Sequence, residues 1–189
     1  MNSGNAKRAV CGMALVLFST LAQAGSDTLN IEVRGMMTEG VCMLDLASSW
    51  QQVDLGDISS ALLAKPGDRG MPIPVVMHFK YCIRMRGNSL NVKTGTRSWD
   101  PVQPVLTVRF IASGDADNSQ LVKVTGASGF GLRITDAQQN DISLGQRGRP
   151  QFAMPPSDEL IWYVTPERTS APLVKGAYQA SVNFFLEYD

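Results

Sequence analysis

The sequence predicts an all-β sandwich, and three observations carry that prediction. Short runs with apolar residues at every second position recur along the chain, the mark of half-buried strands. Turn clusters rich in glycine, proline, asparagine and aspartate separate those runs. No window of a dozen residues holds a convincing 3.6-residue apolar period. Many short strands in a chain of 189 residues suit one domain built from two packed sheets.

The elements follow in order. Leu29, Ile31 and Val33 alternate with Asn30, Glu32 and Arg34, which predicts a strand with one apolar face. Val41 and Met43 flank Cys42, and Val53 and Leu55 follow. Residues 58–63 suit one short helical turn. Residues 73–81 are rich in β-branched and aromatic side chains and lead into Cys82. Residues 105–111 place Val105, Thr107, Arg109 and Ile111 on one face and Leu106, Val108 and Phe110 on the other. Further strands are expected at 121–124, 131–135, 142–144 and 160–164. The expected turns are Lys65-Pro66-Gly67-Asp68, Ser113-Gly114-Asp115, Gln139-Asn140-Asp141 and Pro155-Pro156-Ser157.

The last expected strand, 176–188, is the longest. Tyr178, Ala180, Val182, Phe184, Leu186 and Tyr188 share a face, opposite Gln179, Ser181, Asn183 and Glu187. Six alternating apolar positions are long for a globular strand, and Phe185 alone breaks the polar face. Near the other end of the chain, Gly35 continues the apolar face of the Leu29 strand. A glycine there marks a place where another backbone approaches closely.

The first 24 residues read as a secretory signal peptide. Lys7 and Arg8 precede an apolar run that closes on Ala22-Gln23-Ala24, giving a basic n-region, an h-region and small residues at the cleavage site. The run falls short of a membrane span, so the expected mature chain, 25–189, is exported. Its loss turns 17 basic and 17 acidic residues into 15 and 17, a formal charge of −2. That balance gives no clustered basic excess for nucleic acid or an anionic membrane. Cys11 leaves too, so Cys42 and Cys82 remain as a pair expected to form a disulfide in an oxidising compartment. The alternative, two free thiols or a metal pair, lacks further ligands nearby. Closing a loop of about 40 residues is worth on the order of 4 kcal/mol in the chain-entropy picture.

No catalytic, cofactor or metal site emerges. His78, the one histidine, lies inside an alternating strand with no nucleophile elbow around any serine, and reads as a structural or surface residue. Gly129 and Gly131 lack the rest of a phosphate loop and suit a strand start or a bulge. Asp115, Asp117 and Asn118 lack the glycine and distal glutamate of a calcium loop and suit a solvated turn. Trp50, Trp99 and Trp162, with Tyr81 and Tyr163, could line a sugar site; packing in the core or at a sheet edge is the plainer role.

Taken together these features resemble a pilus subunit of the bacterial chaperone–usher family, of the type 1 or P pilin kind. Gly176 is fourteenth from the end and Tyr188 is penultimate, as in that family's terminal signature. Ile31-Glu32-Val33-Arg34-Gly35-Met36-Met37 before Cys42 resembles its donor strand. Val53-Asp54-Leu55-Gly56, Cys82, the block Gly129 to Asp136 and Ile142-Ser143-Leu144-Gly145 follow in the family's order. The resemblance implies an incomplete immunoglobulin-like sandwich that lacks its last strand, with residues 25–38 as an N-terminal extension and 39–189 as the pilin domain. It implies a non-enzymatic fimbrial subunit without cofactor, exported through the periplasm to the cell surface and supporting adhesion. Its partners would be a periplasmic chaperone, an outer-membrane usher and neighbouring subunits, polymerising by donor-strand exchange, with no nucleic acid and no insertion into a membrane.

In that scheme Leu29, Ile31, Val33, Gly35 and Met37 form the donor face. Gly176, Tyr178, Ala180, Val182, Phe184, Leu186 and Tyr188 form the acceptor and chaperone-binding strand. The 123–126 run and the irregular stretch at 152–157 resemble minor tip or adaptor subunits more than a rod subunit. Two alternatives stand beside this reading. The Leu29 strand could be the first strand of a complete sandwich, and the protein could be a monomeric exported module that binds carbohydrate or protein.

Overall fold

The computed structural model describes residues 40–91 and 94–188. The expected signal segment and the expected donor positions Leu29, Ile31, Val33, Gly35 and Met37 lie outside the described residues. The described chain is almost wholly β, in two main sheets and a separate hairpin. The first sheet contains β1 (Met43–Leu44), β2 (Ile73–Lys80), β8 (Asp158–Arg168) and β6 (Phe130–Thr135), in that spatial order. The second contains β7 (Gln151–Phe152), β5 (Val105–Ile111) and β9 (Asn183–Tyr188). β3 (Gly87–Leu90) and β4 (Arg97–Asp100) form the hairpin. All pairings are antiparallel.

The inward faces follow from the alternation. Met77 and Phe79 of β2, Leu160 and Trp162 of β8, and Leu132 and Ile134 of β6 meet Leu106, Val108 and Phe110 of β5 in one core. Trp162 is 1% exposed, and Phe110 packs edge-on against it with ring centres 5.8 Å apart. Such an offset contact suits the ring quadrupoles and adds to area burial. Cys42 and Cys82 form the expected disulfide, with Cα atoms 4.0 Å apart.

The outward face of the first sheet carries a buried ionic cluster. Arg133 donates through Nε and Nη2 to both oxygens of Glu167, at 2.9 and 2.6 Å. Arg69 reaches the same carboxylate at 2.8 Å and Asp141 at 3.0 Å. Burial of Arg133 and Glu167 is tolerated because the bidentate geometry satisfies both charges. A segment outside the named strands covers the free edge of β6: Val122 and Leu132 exchange both backbone hydrogen bonds, at 2.8 and 3.0 Å. Gly131 allows this approach, since a Cβ there would lie 2.7 Å from Leu121 Cβ.

Several expectations need correction. Leu121, Val122 and Val124 are buried, but this stretch pairs only through isolated bridges of Val122 to Gly114 and Leu132. Residues 142–144 are not a strand. Asp136 folds a tight turn by accepting from the Asn140 backbone at 2.8 Å, one rung forms between Thr135 and Asp141, and the chain turns away at Gly145 with φ +73°. The strand expected at 160–164 runs much further, Asp158–Arg168, because it has partners on both edges. The helical turn near 58–63 is a 3₁₀ turn, Ser60–Leu63, capped by the Ser59 hydroxyl. A short helix, α1 (Leu46–Ser49), and the β3–β4 hairpin carry no clear period and were not expected.

The largest correction concerns 176–188, where only Asn183–Tyr188 is a strand. Upstream, Val174 bridges Ser128 and Gln179 bridges Thr125, so four residues on one side span two on the other. That mismatch is a bulge, and it breaks the ladder. The chain then changes partner, pairing Asn183 with Ile111 of β5. The period-two pattern is continuous, but its hydrogen-bond partners are not.

Candidate assembly groove

The bulge has a specific cause at a glycine crossing. Gly126 has φ +97°, and a Cβ on it would lie 2.2 Å from the Ala177 carbonyl oxygen. A Cβ on Gly176 would lie 2.9 Å from the Gly126 carbonyl oxygen. Only two glycines let these backbones cross so closely. The crossing supports the segment that follows, where Tyr178 packs edge-on against Phe130 at 5.1 Å. Thr125 and Gln179 then exchange backbone hydrogen bonds at 2.9 and 3.0 Å.

This segment is one wall of a groove of about 1460 Å³. Gly176, Tyr178, Ala180, Val182 and Phe184 all line it. The floor includes Val75 and Met77 of β2, Leu132 and Ile134 of β6, and Trp162 and Val164 of β8. Leu186 and Tyr188, expected on the same acceptor face, pack on the core beyond the groove lining. Phe184 and Leu186 register with Phe110 and Val108 of β5. Among the described residues β9 pairs with β5 alone, so its outer backbone edge has no strand beside it.

The opposite wall is the stretch from Trp50 to Ser60. Its upstream end is tied to the edge of β2: Ser48 Oγ accepts from His78 N at 2.9 Å, and Gln51 Nε2 donates to the Val76 carbonyl at 2.8 Å. After Gln51 the chain leaves that edge. Gly56, at φ +61°, turns it, with its N–H donating to Asp54 Oδ1 at 2.8 Å. Leu55 and Ile58 pack on the core, while Asp54 and Asp57 are exposed on the groove wall. The sequence motif at 53–56 was visible, but nothing in it showed that it faces the terminal strand across a gap.

Two tyrosines mark the two ends of the terminal run, 176–188. The Tyr178 hydroxyl is buried without a hydrogen-bond partner among the described residues. Burial, then the charges of Asp54 and Asp57, raise its pKa above the ordinary phenol value. The Tyr188 hydroxyl donates to the Cys42 carbonyl at 2.6 Å, and burial raises its pKa. Tyr188 thereby joins the end of β9 to the disulfide. Beside it, Glu187 forms ion pairs with Arg109 and with Arg147, the latter at 2.8 Å.

The remaining candidate residues lie elsewhere. His78 is half-exposed and pairs with Glu159 at 3.1 Å on the outer face. Trp162 is core, whereas Trp50 and Trp99 are 80% and 63% exposed, and Arg86 stacks 5.3 Å from the Trp99 ring centre. Gly129 immediately precedes β6 as a strand start. Asp115 and Asn118 accept from backbone N–H groups two residues on, as in a solvated turn.

With the sandwich and its open edge described, comparison with known proteins decides the family. The fimbrial protein family model matches residues 31–189. The chain belongs to the fimbrial protein family. This fimbrial subunit is 25% identical over 182 residues to the probable major fimbrial subunit LpfA of Escherichia coli O157:H7, covering 93% of each chain. Its fold is similar to that of the P pilus rod subunit PapA, with a TM-score of 0.62 at 17% identity, over 79% of this chain and all of that one. A solved chaperone–usher pilus gives a TM-score of 0.64 at 17% identity, covering 87% of this chain and 97% of its own. The architecture is that of pilins.

Proposed function

We propose that this fimbrial subunit polymerises by donor-strand exchange as a non-enzymatic building block of an adhesive surface pilus. One observation carries the reading: the outer edge of β9 has no partner among the described residues and borders a groove of about 1460 Å³ with an apolar floor. An open strand edge over an apolar floor is a template for strand addition. The donor is the extension at 25–38, whose positions 29, 31, 33, 35 and 37 match in number the groove positions 176, 178, 180, 182 and 184. Burying Leu29, Ile31, Val33 and Met37 contributes roughly 6–12 kcal/mol, at about 1.5–3 kcal/mol per side chain. A row of backbone hydrogen bonds adds to it. The contact is head-to-tail and does not close on itself, so it propagates as a fibre.

Before assembly the same edge needs a temporary partner, which is the role of a periplasmic chaperone; an outer-membrane usher then exchanges it for the next subunit's extension. The test is export of the full chain with and without a pilus chaperone, for the natural sequence and for Phe184→Asp. The natural chain is expected to survive only with the chaperone and to form SDS-resistant multimers once an usher is present. Phe184→Asp places an unpaired charge in the groove and should abolish both. A stable monomer under every condition, unaffected by Phe184→Asp, would instead support a monomeric binding module.

A further inference from the structure

Donor positions can be set against groove positions in two directions, and size decides between them. Run antiparallel, Leu29 meets Phe184, Ile31 meets Val182, Val33 meets Ala180, Gly35 meets Tyr178 and Met37 meets Gly176. The smallest donor position then faces the ring that packs on Phe130, and the long, adaptable methionine faces the groove's glycine. Run parallel, Ile31 would meet Tyr178 and Gly35 would meet Val182, which crowds one site and empties the other. Close packing favours the antiparallel arrangement.

That register also places a charge. Arg34 precedes Gly35 and alternates with the donor's apolar positions, so in that register it would come to the rim opposite Gln179, one residue from Tyr178. It is the only basic residue between 25 and 40. Asp54 and Asp57 lie on the facing wall, and among the described residues neither has an ion-pair partner. The buried Tyr178 hydroxyl nearby also lacks a partner. We infer that the groove is matched to the extension of a second copy of this chain, with Arg34 pairing to Asp54 and Asp57 beside Tyr178. This rests on the donor-strand reading above and goes further, because it makes the subunit self-complementary. A self-complementary subunit adds repeatedly to its own kind, which suits a stacking rod position better than the single-copy tip or adaptor position that the 123–126 run suggested.

The experiment exports the full chain, with a pilus chaperone and usher, in cells lacking every other pilin, and scores multimers that survive SDS without heating. Natural sequence, Arg34→Glu, Asp57→Arg with Asp54→Asn, and the combination of all three are compared. Each charge-altered variant should lower multimer yield about three- to tenfold, as a rim pair turned repulsive would. The combination should recover most of it. Unchanged yields in the single-sided variants overturn the charge match, as does failure of the combination to recover. Multimers of the natural chain that form only when a different subunit is supplied overturn the second-copy assignment. Absence of multimers under both conditions, with Phe184→Asp no different, overturns the donor-strand reading itself. Should the Asp54 and Asp57 changes disturb the wall, shown by loss of the disulfide on a non-reducing gel, Arg34→Glu alone carries the test, because it leaves the wall intact.

Discussion

β8 and β9 are both alternating strands that pack on the same core, yet they end in opposite situations. β8 has β2 on one edge and β6 on the other, and its outward Glu167 is buried under two arginines. Among the described residues β9 has β5 on one edge alone, and its outward Glu187 is held in half-exposed ion pairs. The first sheet encloses β8 between two strands and floors the groove with its inward face; the second leaves β9 open along that groove. The two strands thus differ in how firmly their neighbours hold them, and variants should measure that difference.

The strongest break is expected at Glu167. Removing its carboxylate by Glu167→Ala leaves the buried Arg133 with Asp141 alone, at 3.7 Å, while the half-exposed Arg69 keeps Asp141 at 3.0 Å, and breaking the buried pair costs about 3 kcal/mol. Chemical denaturation should show a large fall in midpoint for the folded subunit, with or without its assembly partners. A variant as stable as the natural chain would mean that the cluster is solvated and that the two sheets differ less than their burial implies.

Tyr188→Phe should have an intermediate effect of about 1 kcal/mol, the usual loss for one hydrogen bond, here the bond to the Cys42 carbonyl. It should also change the alkaline limb. The folded-state pKa of Tyr188 is raised by burial, so the folded state resists ionisation. Its contribution is fully present below the ordinary phenol pKa near 10 and is lost as pH rises from there through the raised value. Stability measured across that window should fall for the natural chain and fall less steeply for Tyr188→Phe. Tyr178, also raised, keeps some slope in the variant.

The smallest effect is expected for Glu187→Ala, about 0.5–1 kcal/mol, because its partners are partly solvated. The contrast between Glu167→Ala and Glu187→Ala in one denaturation series measures the difference between the enclosed strand β8 and the open strand β9.

Much of this was legible in the chain because alternation reports burial on one face. The runs at 73–81 and 105–111 became β2 and β5 almost residue for residue, and Phe79, Leu106, Val108 and Phe110 are core. The disulfide followed from two cysteines in an exported chain. What alternation does not report is hydrogen-bond partnership. Residues 176–182 alternate yet pair through an isolated bridge, since a ladder needs a partner in register and Gly126 crossing Gly176 breaks it; the apolar run at 121–124 likewise pairs only through isolated bridges. The second groove wall, with Asp54 and Asp57, was equally hidden: the Gly56 turn and the Gln51 bond to Val76 carry it away from β2.

The sequence by itself determined the all-β class, the apolar face of the terminal run, the cysteine pair and the composition of the 25–38 extension. Each depends on residue type and spacing within a short stretch, so each could be read locally. Only the tertiary structure decided which edge stays unpaired, where the groove lies, and that Tyr188 turns from the groove to bond Cys42 while Tyr178 stays in it. Those are outcomes of competition among distant segments for the same strand edges, and no local pattern records which segment wins.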